Sequence, residues 1–104
     1  MEPNKENEKV KENEKVFDIT SLDIYPLLNL FINVLSSQAW QYLGLRVRSG
    51  SDKIEKDLDR ARVAIDCIDF IGNKIEPHIQ DEEKQHLKNL LTDLQINFVR
   101  VQQT

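Results

Sequence analysis

The sequence has few of the residues that bend, cross-link or anchor a chain. Its 104 residues include three glycines, three prolines and one cysteine. Because turns favour glycine and proline, their scarcity predicts a small number of long elements. A single cysteine excludes an intrachain disulfide and suits a reducing compartment. Apolar runs stop well short of the ~20 residues of a membrane span, and residues 1–10 lack the apolar core of a signal peptide, so we expect a cytoplasmic protein that does not enter the membrane.

An excess of positive charge is also absent. The chain has 14 Lys and Arg against 18 Asp and Glu, which makes the net charge -4. Nucleic-acid binders need a cationic surface that displaces counterions from phosphate, so we do not expect nucleic acid as the partner. The 39% hydrophobic and 31% charged residues are typical of a soluble helical protein. The length suits one small domain.

Residues 1–20 form a charged tail in the sequence. Residues 1–15 carry almost no apolar side chains, and two similar hexads, NEKVKE over 7–12 and NEKVFD over 13–18, follow one another. Burial of so little apolar surface cannot offset the roughly 1–2 kcal/mol of backbone entropy lost by each ordered residue. We therefore predict a disordered tail followed by one domain over 21–104.

An apolar segment begins shortly after the tail. Over its first twelve residues, 24–35, the only polar side chains are those of Asn29 and Asn33. This pattern predicts a helix over about 24–44 that is hydrophobic around most of its circumference. Because glycine adopts positive φ without steric cost, Gly44 is the expected C-terminal stop.

A second helix is predicted over about 53–76, with Asp52 and Glu55 spaced as a capping box at its start. Apolar residues at spacings of four and three form a heptad seam, which packs at a shallow crossing angle. Gly72 on this seam costs about 1 kcal/mol of helix propensity relative to Ala, so a bulky side chain should approach it, and Trp40 is the candidate. The seam comprises Ile54, Leu58, Ala61, Ile65, Ile68, Gly72 and Ile75. The opposite face is polar and comprises Asp59, Arg62, Asp66, Asp69 and Asn73.

A third helix is predicted over about 81–101. Asp81, Glu82 and Glu83 place negative charge at the positive end of its dipole. Because the connections are short, the three helices should run up, down and up, and we predict an all-α, small antiparallel three-helix domain. The seam of the third helix comprises Leu87, Leu91, Leu94, Phe98 and Val101, with Leu90 beside it.

Three groups of short motifs follow one another along the chain. They are Ser37-Gln-Ala-Trp40 with Leu43-Gly44, then Lys56-Asp-Leu58 with Ala61 and Ala64-Ile-Asp66, then Leu87-Lys-Asn-Leu-Leu91 with Asp93-Leu94 and Asn97-Phe-Val99. In this order and spacing they resemble a bacterial family, domain of unknown function 1844, over about residues 30–101. The resemblance implies a small, all-helical, bacterial cytoplasmic protein with no established activity. Two features differ from the family pattern: the loop RVRSGSDK over 46–53 has no proline-rich turn, and Gln95 stands where the family has an arginine.

Two histidines with nearby carboxylates raise the question of a metal site. Glu83 and His86 stand in the E-x-x-H relation of di-iron bundles, which need a second such pair and two further carboxylates. His78 and Glu82 extend the group to a conceivable zinc cluster. The helix dipole already accounts for acidic residues at this position. We therefore expect no metal and no cofactor, and a small metal-binding protein is the alternative.

The remaining reactive and charged groups do not form a catalytic pattern. Cys67 has no cationic neighbour in the sequence to activate its thiol. Asp66 and Asp69 share the polar face of the second helix, where water accounts for them, so we do not expect an enzyme. A nucleic-acid or ribosome accessory is a further alternative, and it would use the cations Arg46, Arg48, Lys53, Lys56 and Arg60.

The first helix has more apolar surface than two neighbouring helices can cover. Monomers normally expose apolar patches of no more than a few hundred Å², so we expect a homodimer or a larger symmetric oligomer, with Asn29 or Asn33 setting the register. The interface residues of this hypothesis are Leu28, Phe31, Ile32, Leu35, Trp40 and Tyr42. In the competing arrangement Phe17, Ile19 and Leu22 fold back over the first helix within one chain. The expected function is a non-enzymatic interaction or structural module, and an unidentified protein is the alternative partner.

Overall fold

The computed structural model describes residues 18–48 and 50–104. All the regular structure in these residues is helical, which confirms the prediction of an all-α fold with three helices. Of the predicted tail over 1–20, residues 1–17 lie outside the described part, and the 3-10 turn at Ile19–Ser21 includes the last two residues of the tail.

Three α-helices form the domain. They are α1 at Ile24–Tyr42, α2 at Leu58–Ile75 and α3 at Asp81–Gln102. Two short 3-10 turns precede α1 and α3, at Ile19–Ser21 and Glu76–His78.

The end of α1 is set by local backbone chemistry. Gly44 has a φ of 81°, the left-handed conformation that glycine adopts without steric cost. Its N–H donates to the Gln41 carbonyl at 2.9 Å, and the N–H of Leu45 donates to the Trp40 carbonyl at 3.1 Å. These two bonds form a Schellman motif. Gly44 therefore ends the helix as predicted, although the last residue in helical conformation is Tyr42.

The start of α2 differs from the prediction. The helix begins at Leu58 rather than near residue 53, and its cap is Asp57. Asp57 Oδ1 accepts the backbone N–H of Arg60 at 3.1 Å, and that hydrogen bond is the main cause that holds the pKa of Asp57 below its usual value. The backbone N–H of Asp57 donates to the carbonyl of Tyr42 at 2.8 Å. This bond ties the loop to the end of α1 and leaves the preceding residues outside the helix.

Two expectations for this loop are therefore wrong. Asp52 and Glu55 do not form a capping box, because the backbone donors at the start of α2 lie five residues further along. Ile54, which the heptad seam placed in the core, is 62% exposed.

The start of α3 follows the predicted pattern. Gln80 is the cap, and its backbone N–H donates to the Glu83 carboxylate at 3.4 Å. Asp81 and Glu82 lie in the first turn, where their charge opposes the positive end of the helix dipole.

The helices α1 and α2 are antiparallel and have the most extensive contact among the helix pairs. Ala39 on α1 and Ala61 and Ala64 on α2 are buried in one apolar core. Small side chains at a contact allow two helix axes to come close. The core also contains the larger side chains of Ile32, Leu43, Ile65, Ile68, Ile75 and Leu94, so the predicted seam of α2 is confirmed from Ala61 to Ile75.

Gly72 contacts α3, not Trp40 as predicted. A Cβ built on Gly72 would lie 2.9 Å from Leu87 Cδ2, which is closer than carbon atoms pack. Leu87 can pack directly on α2 at this position because Gly72 has no side chain. Further along the antiparallel pair, the guanidinium of Arg62 lies 5.1 Å from the centre of the Phe98 ring.

These contacts place α3 on one side of the α1–α2 pair. On α2 the side facing α3 contains Arg62, Asp69 and Gly72. On α1 it contains Asn29 and Asn33, which line a cavity with residues of α3. The opposite side of the α1–α2 pair is not covered by α3.

Candidate interaction surface

The residues of the alternative metal cluster lie apart from one another or have other contacts in the structure. His78 lies in the turn before α3 and stacks on Tyr25, with ring centres 4.4 Å apart. Glu83 accepts the capping hydrogen bond from Gln80. Glu82 and His86 line the cavity between α1 and α3. Among the described residues, no three histidine, cysteine or carboxylate side chains come together closely enough to hold a metal ion.

The cations of the α1–α2 loop are exposed and lie among acids. Arg60 Nη1 pairs with Asp57 Oδ2 at 2.7 Å, and Arg48 Nη2 donates to the hydroxyl of Tyr42 at 3.4 Å. Asp52 and Glu55 lie between the remaining cations in the loop sequence. Because acids interrupt the positive charge, this region lacks the continuous cationic track that binds a phosphate backbone.

Gln95, at the position where the resemblance led us to expect an arginine, lies near an arginine from another helix. Gln95 lines a cavity of about 180 Å³ with Arg62 of α2 and with Phe98 of its own helix. Asp66 lies on the same cavity, whereas Asp69 lies on the neighbouring one. A guanidinium is therefore present at this place although it comes from a different position in the sequence.

The uncovered side of the α1–α2 pair has exposed apolar side chains from both helices. Successive helix residues are about 100° apart, so Phe31 lies roughly opposite Asn29 and Asn33, and Cys67 lies roughly opposite Arg62 and Asp69. Apolar side chains surround Phe31 and Cys67. We call this surface the outer face: it comprises Ile24, Phe31 and Val34 of α1 with Val63, Cys67 and Phe70 of α2, all exposed. Leu28, Leu35 and Ile71 lie between the two rows and are half-buried.

Only part of the predicted interface belongs to the outer face. Phe31 is 40% exposed, but Ile32 is 2% exposed and packs in the core of its own chain, so Ile32 is not available to a partner. Trp40 and Tyr42 are half-buried against the core. Asn29 and Asn33 lie on the α3 side, so they cannot set the register of an interface on the outer face.

The α2 part of the outer face was missed in the sequence. Val63 is 62% exposed and Phe70 is 64% exposed, and neither residue belongs to the apolar seam or to the polar face that the spacing predicted for α2. A signal is present: positions 63, 67 and 70 are apolar and have spacings of four and three, which makes a second, shorter stripe along the helix. The longer apolar seam on the same helix hid it.

The described part of the segment before α1 does not cover this surface. Ile19 and Leu22 are both exposed, so neither is buried against α1 as the competing arrangement required. Phe17, the third residue of that arrangement, lies outside the described part.

The structure also separates charge along the helices. The loop end contains residues 44–62 and the end of α3, residues 97–104, with seven Lys and Arg against four Asp and Glu. The turn end contains residues 18–25 and 74–84, with two Lys against six Asp and Glu. One end of the domain is therefore net positive and the other net negative.

A comparison with family models agrees with the sequence resemblance. Within residues 18–48 and 50–104, no helix combines the length and the hydropathy needed to cross a bilayer. Neither the curated proteins nor the solved structures contain a match to this chain. A family model matches residues 26–100, which include all of α2 and nearly all of α1 and α3. The chain therefore belongs to the family described as Domain of unknown function (DUF1844).

Proposed function

We propose that the protein is a non-enzymatic interaction or structural module of the bacterial cytoplasm that works as a homodimer. The two copies meet through the outer face. The observation that carries this proposal is the exposure of large apolar side chains along one side of two adjacent helices, among them Phe31, Val63 and Phe70.

Charge supports a protein partner at this face. The 19 residues of α1 include no Asp, Glu, Lys or Arg, so the α1 half of the face has no charge to be desolvated on association. Desolvation of charge is the main cost of burying a polar surface. On α2, the thiol of Cys67 is the central group of the face, and a thiol behaves as a small apolar group.

The size of the apolar side chains makes self-association favourable. Full burial of a side chain such as Phe, Val or Ile contributes about 1.5–3 kcal/mol. In a two-fold dimer the same patch of both subunits lies in the interface. The burial of each residue of the face therefore contributes twice, once from each subunit. Several such residues therefore offset the cost of association, which lies between about 4 and 15 kcal/mol.

Sedimentation equilibrium at micromolar concentration tests the proposal, with twice the chain mass as the expected result. In the variant Phe31→Asp the dissociation constant should rise at least about tenfold, because the lost burial of roughly 1.5–3 kcal/mol exceeds the 1.4 kcal/mol that corresponds to a factor of ten. The helical circular dichroism signal should remain, since Phe31 is outside the core.

Ile96→Asp is the matched control. Ile96 is an exposed apolar residue of α3, outside the outer face, so this variant should keep the dimer mass. A monomer mass for the wild-type chain contradicts the proposal. So does equal weakening of the dimer by both variants, because an interface at the outer face cannot sense Ile96.

A further inference from the structure

The outer face and the charged ends together limit how two copies can pack. This inference rests on the proposed homodimer and concerns its geometry. In a two-fold dimer of two-helix faces, the axis lies in the interface and runs either along the helices or across them. An axis along the helices places α1 on the partner's α2 and brings like ends of the two copies together. An axis across the helices places α1 on the partner's α1, α2 on the partner's α2, and opposite ends together.

The distribution of charge distinguishes these two arrangements. The loop end is net positive and the turn end is net negative. Charges attract or repel over a Debye length of about 8–10 Å at moderate ionic strength, so neighbouring ends of two packed domains interact. Only the axis across the helices places the positive end of one copy beside the negative end of the other.

The cations at the two ends of the α2 row do not oppose this arrangement. Antiparallel packing of two α2 helices brings Arg60 near the partner's Lys74. Arg60 is already paired with Asp57 at 2.7 Å, and Lys74 Nζ lies 5.3 Å from the centre of the Phe70 ring. Each cation therefore has a favourable contact within its own chain.

We infer that the two-fold axis of the homodimer runs across the helices and passes close to Cys67. The α2 helix spans residues 58–75, and Cys67 is at its midpoint. It also lies between Val63 and Phe70 on the outer face. In an antiparallel pair of α2 helices the residue at the axis meets its own copy, so Cys67 lies against the partner's Cys67 and Val63 lies close to the partner's Phe70.

Oxidative cross-linking tests this geometry in the full chain. Because Cys67 is the only cysteine, a disulfide-linked dimer can form only between two copies of Cys67. With diamide as the oxidant, the two thiols lose two protons and two electrons, diamide is reduced to the hydrazine, and one S–S bond forms. Most of the wild-type protein should then migrate at twice the chain mass on a non-reducing gel. At the same concentration the variant Phe31→Asp, which retains Cys67, should give no more cross-linked product than random collision.

Two relocated cysteines extend the test. One protein carries Val63→Cys with Cys67→Ser, and the other carries Phe70→Cys with Cys67→Ser. Neither should cross-link alone, and a mixture of the two should give a disulfide-linked heterodimer, because the arrangement places position 63 close to the partner's position 70.

The outcomes separate the geometry from the dimer itself. A dimer mass by sedimentation with no cross-linking at Cys67 overturns the axis across the helices and leaves the homodimer standing. Cross-linking of each relocated variant alone also overturns it, since that result needs two parallel α2 helices. A monomer mass overturns the homodimer and this inference together.

Discussion

The helices α1 and α3 both pack antiparallel to α2, yet their compositions differ sharply. The 22 residues of α3 include seven charged side chains, whereas the 19 residues of α1 include none. Six of these seven side chains are exposed, which makes the surface of α3 compatible with water. The outer surface of α1 has apolar residues at the corresponding positions, so it is suited to contact with protein.

The two helices also differ in how they contact α2. The α1–α2 contact contains three buried alanines and is the most extensive of the helix contacts. The α2–α3 contact uses larger side chains, and Leu87 fits because Gly72 has no side chain. A pair with small residues at the contact leaves little room for change, whereas a pair joined by leucines can adjust by rotamer changes.

The largest loss of folding stability should come from a substitution in the core between α1 and α2. Ile68 is fully buried, and Ile68→Asp puts an unpaired carboxylate into the core, which typically costs several kcal/mol in real proteins. Because a domain of this size has a small stability margin, the variant should lose its helical circular dichroism signal at 25 °C. Asp69→Ala, at the exposed neighbouring position, should stay within about 0.5 kcal/mol of wild type by urea denaturation. Similar losses in the two variants would show that the core side of α2 is assigned wrongly.

A moderate loss of folding stability is expected from a substitution at the contact between α2 and α3. Gly72→Val adds two methyl groups beyond a Cβ that already lies too close to Leu87, and such overpacking costs about 1–3 kcal/mol. Urea denaturation measures the change in the free energy of unfolding. In a Leu87→Ala background the same substitution should cost less, because the atoms that it meets are gone. An equal cost in both backgrounds would mean that Leu87 is not the residue in contact.

The smallest of these effects should come from the cap of α2. Asp57→Ala removes the acceptor for the Arg60 N–H, and thermal denaturation followed at 222 nm should show a lower Tm at neutral pH. The pKa of Asp57 is lowered in the folded chain from 3.8, so its ionised form stabilises the fold above that value. The difference between wild type and Asp57→Ala should therefore shrink as the pH falls below 3.8 through the lowered folded-state pKa. A difference that is constant down to pH 2 would rule out the ionised cap as its source.

The sequence by itself determined the features that depend on neighbours in the chain. The helix stop at Gly44 and the acidic first turn of α3 involve residues within one or two helical turns, so composition and spacing were sufficient to predict them. The seam of α2 was predictable because a helix that buries one side must repeat its apolar residues at the helical period.

Only the tertiary structure decided the features that depend on another element. Asp57 rather than Asp52 caps α2, because the backbone N–H of Asp57 donates to the carbonyl of Tyr42, fifteen residues away in the chain. Leu87 rather than Trp40 meets Gly72 because α3 packs on that side of α2. The same placement of α3 buries one side of the α1–α2 pair and exposes the other. Periodicity shows that a helix has an apolar side, but the positions of the neighbouring helices determine which apolar residues remain in contact with water.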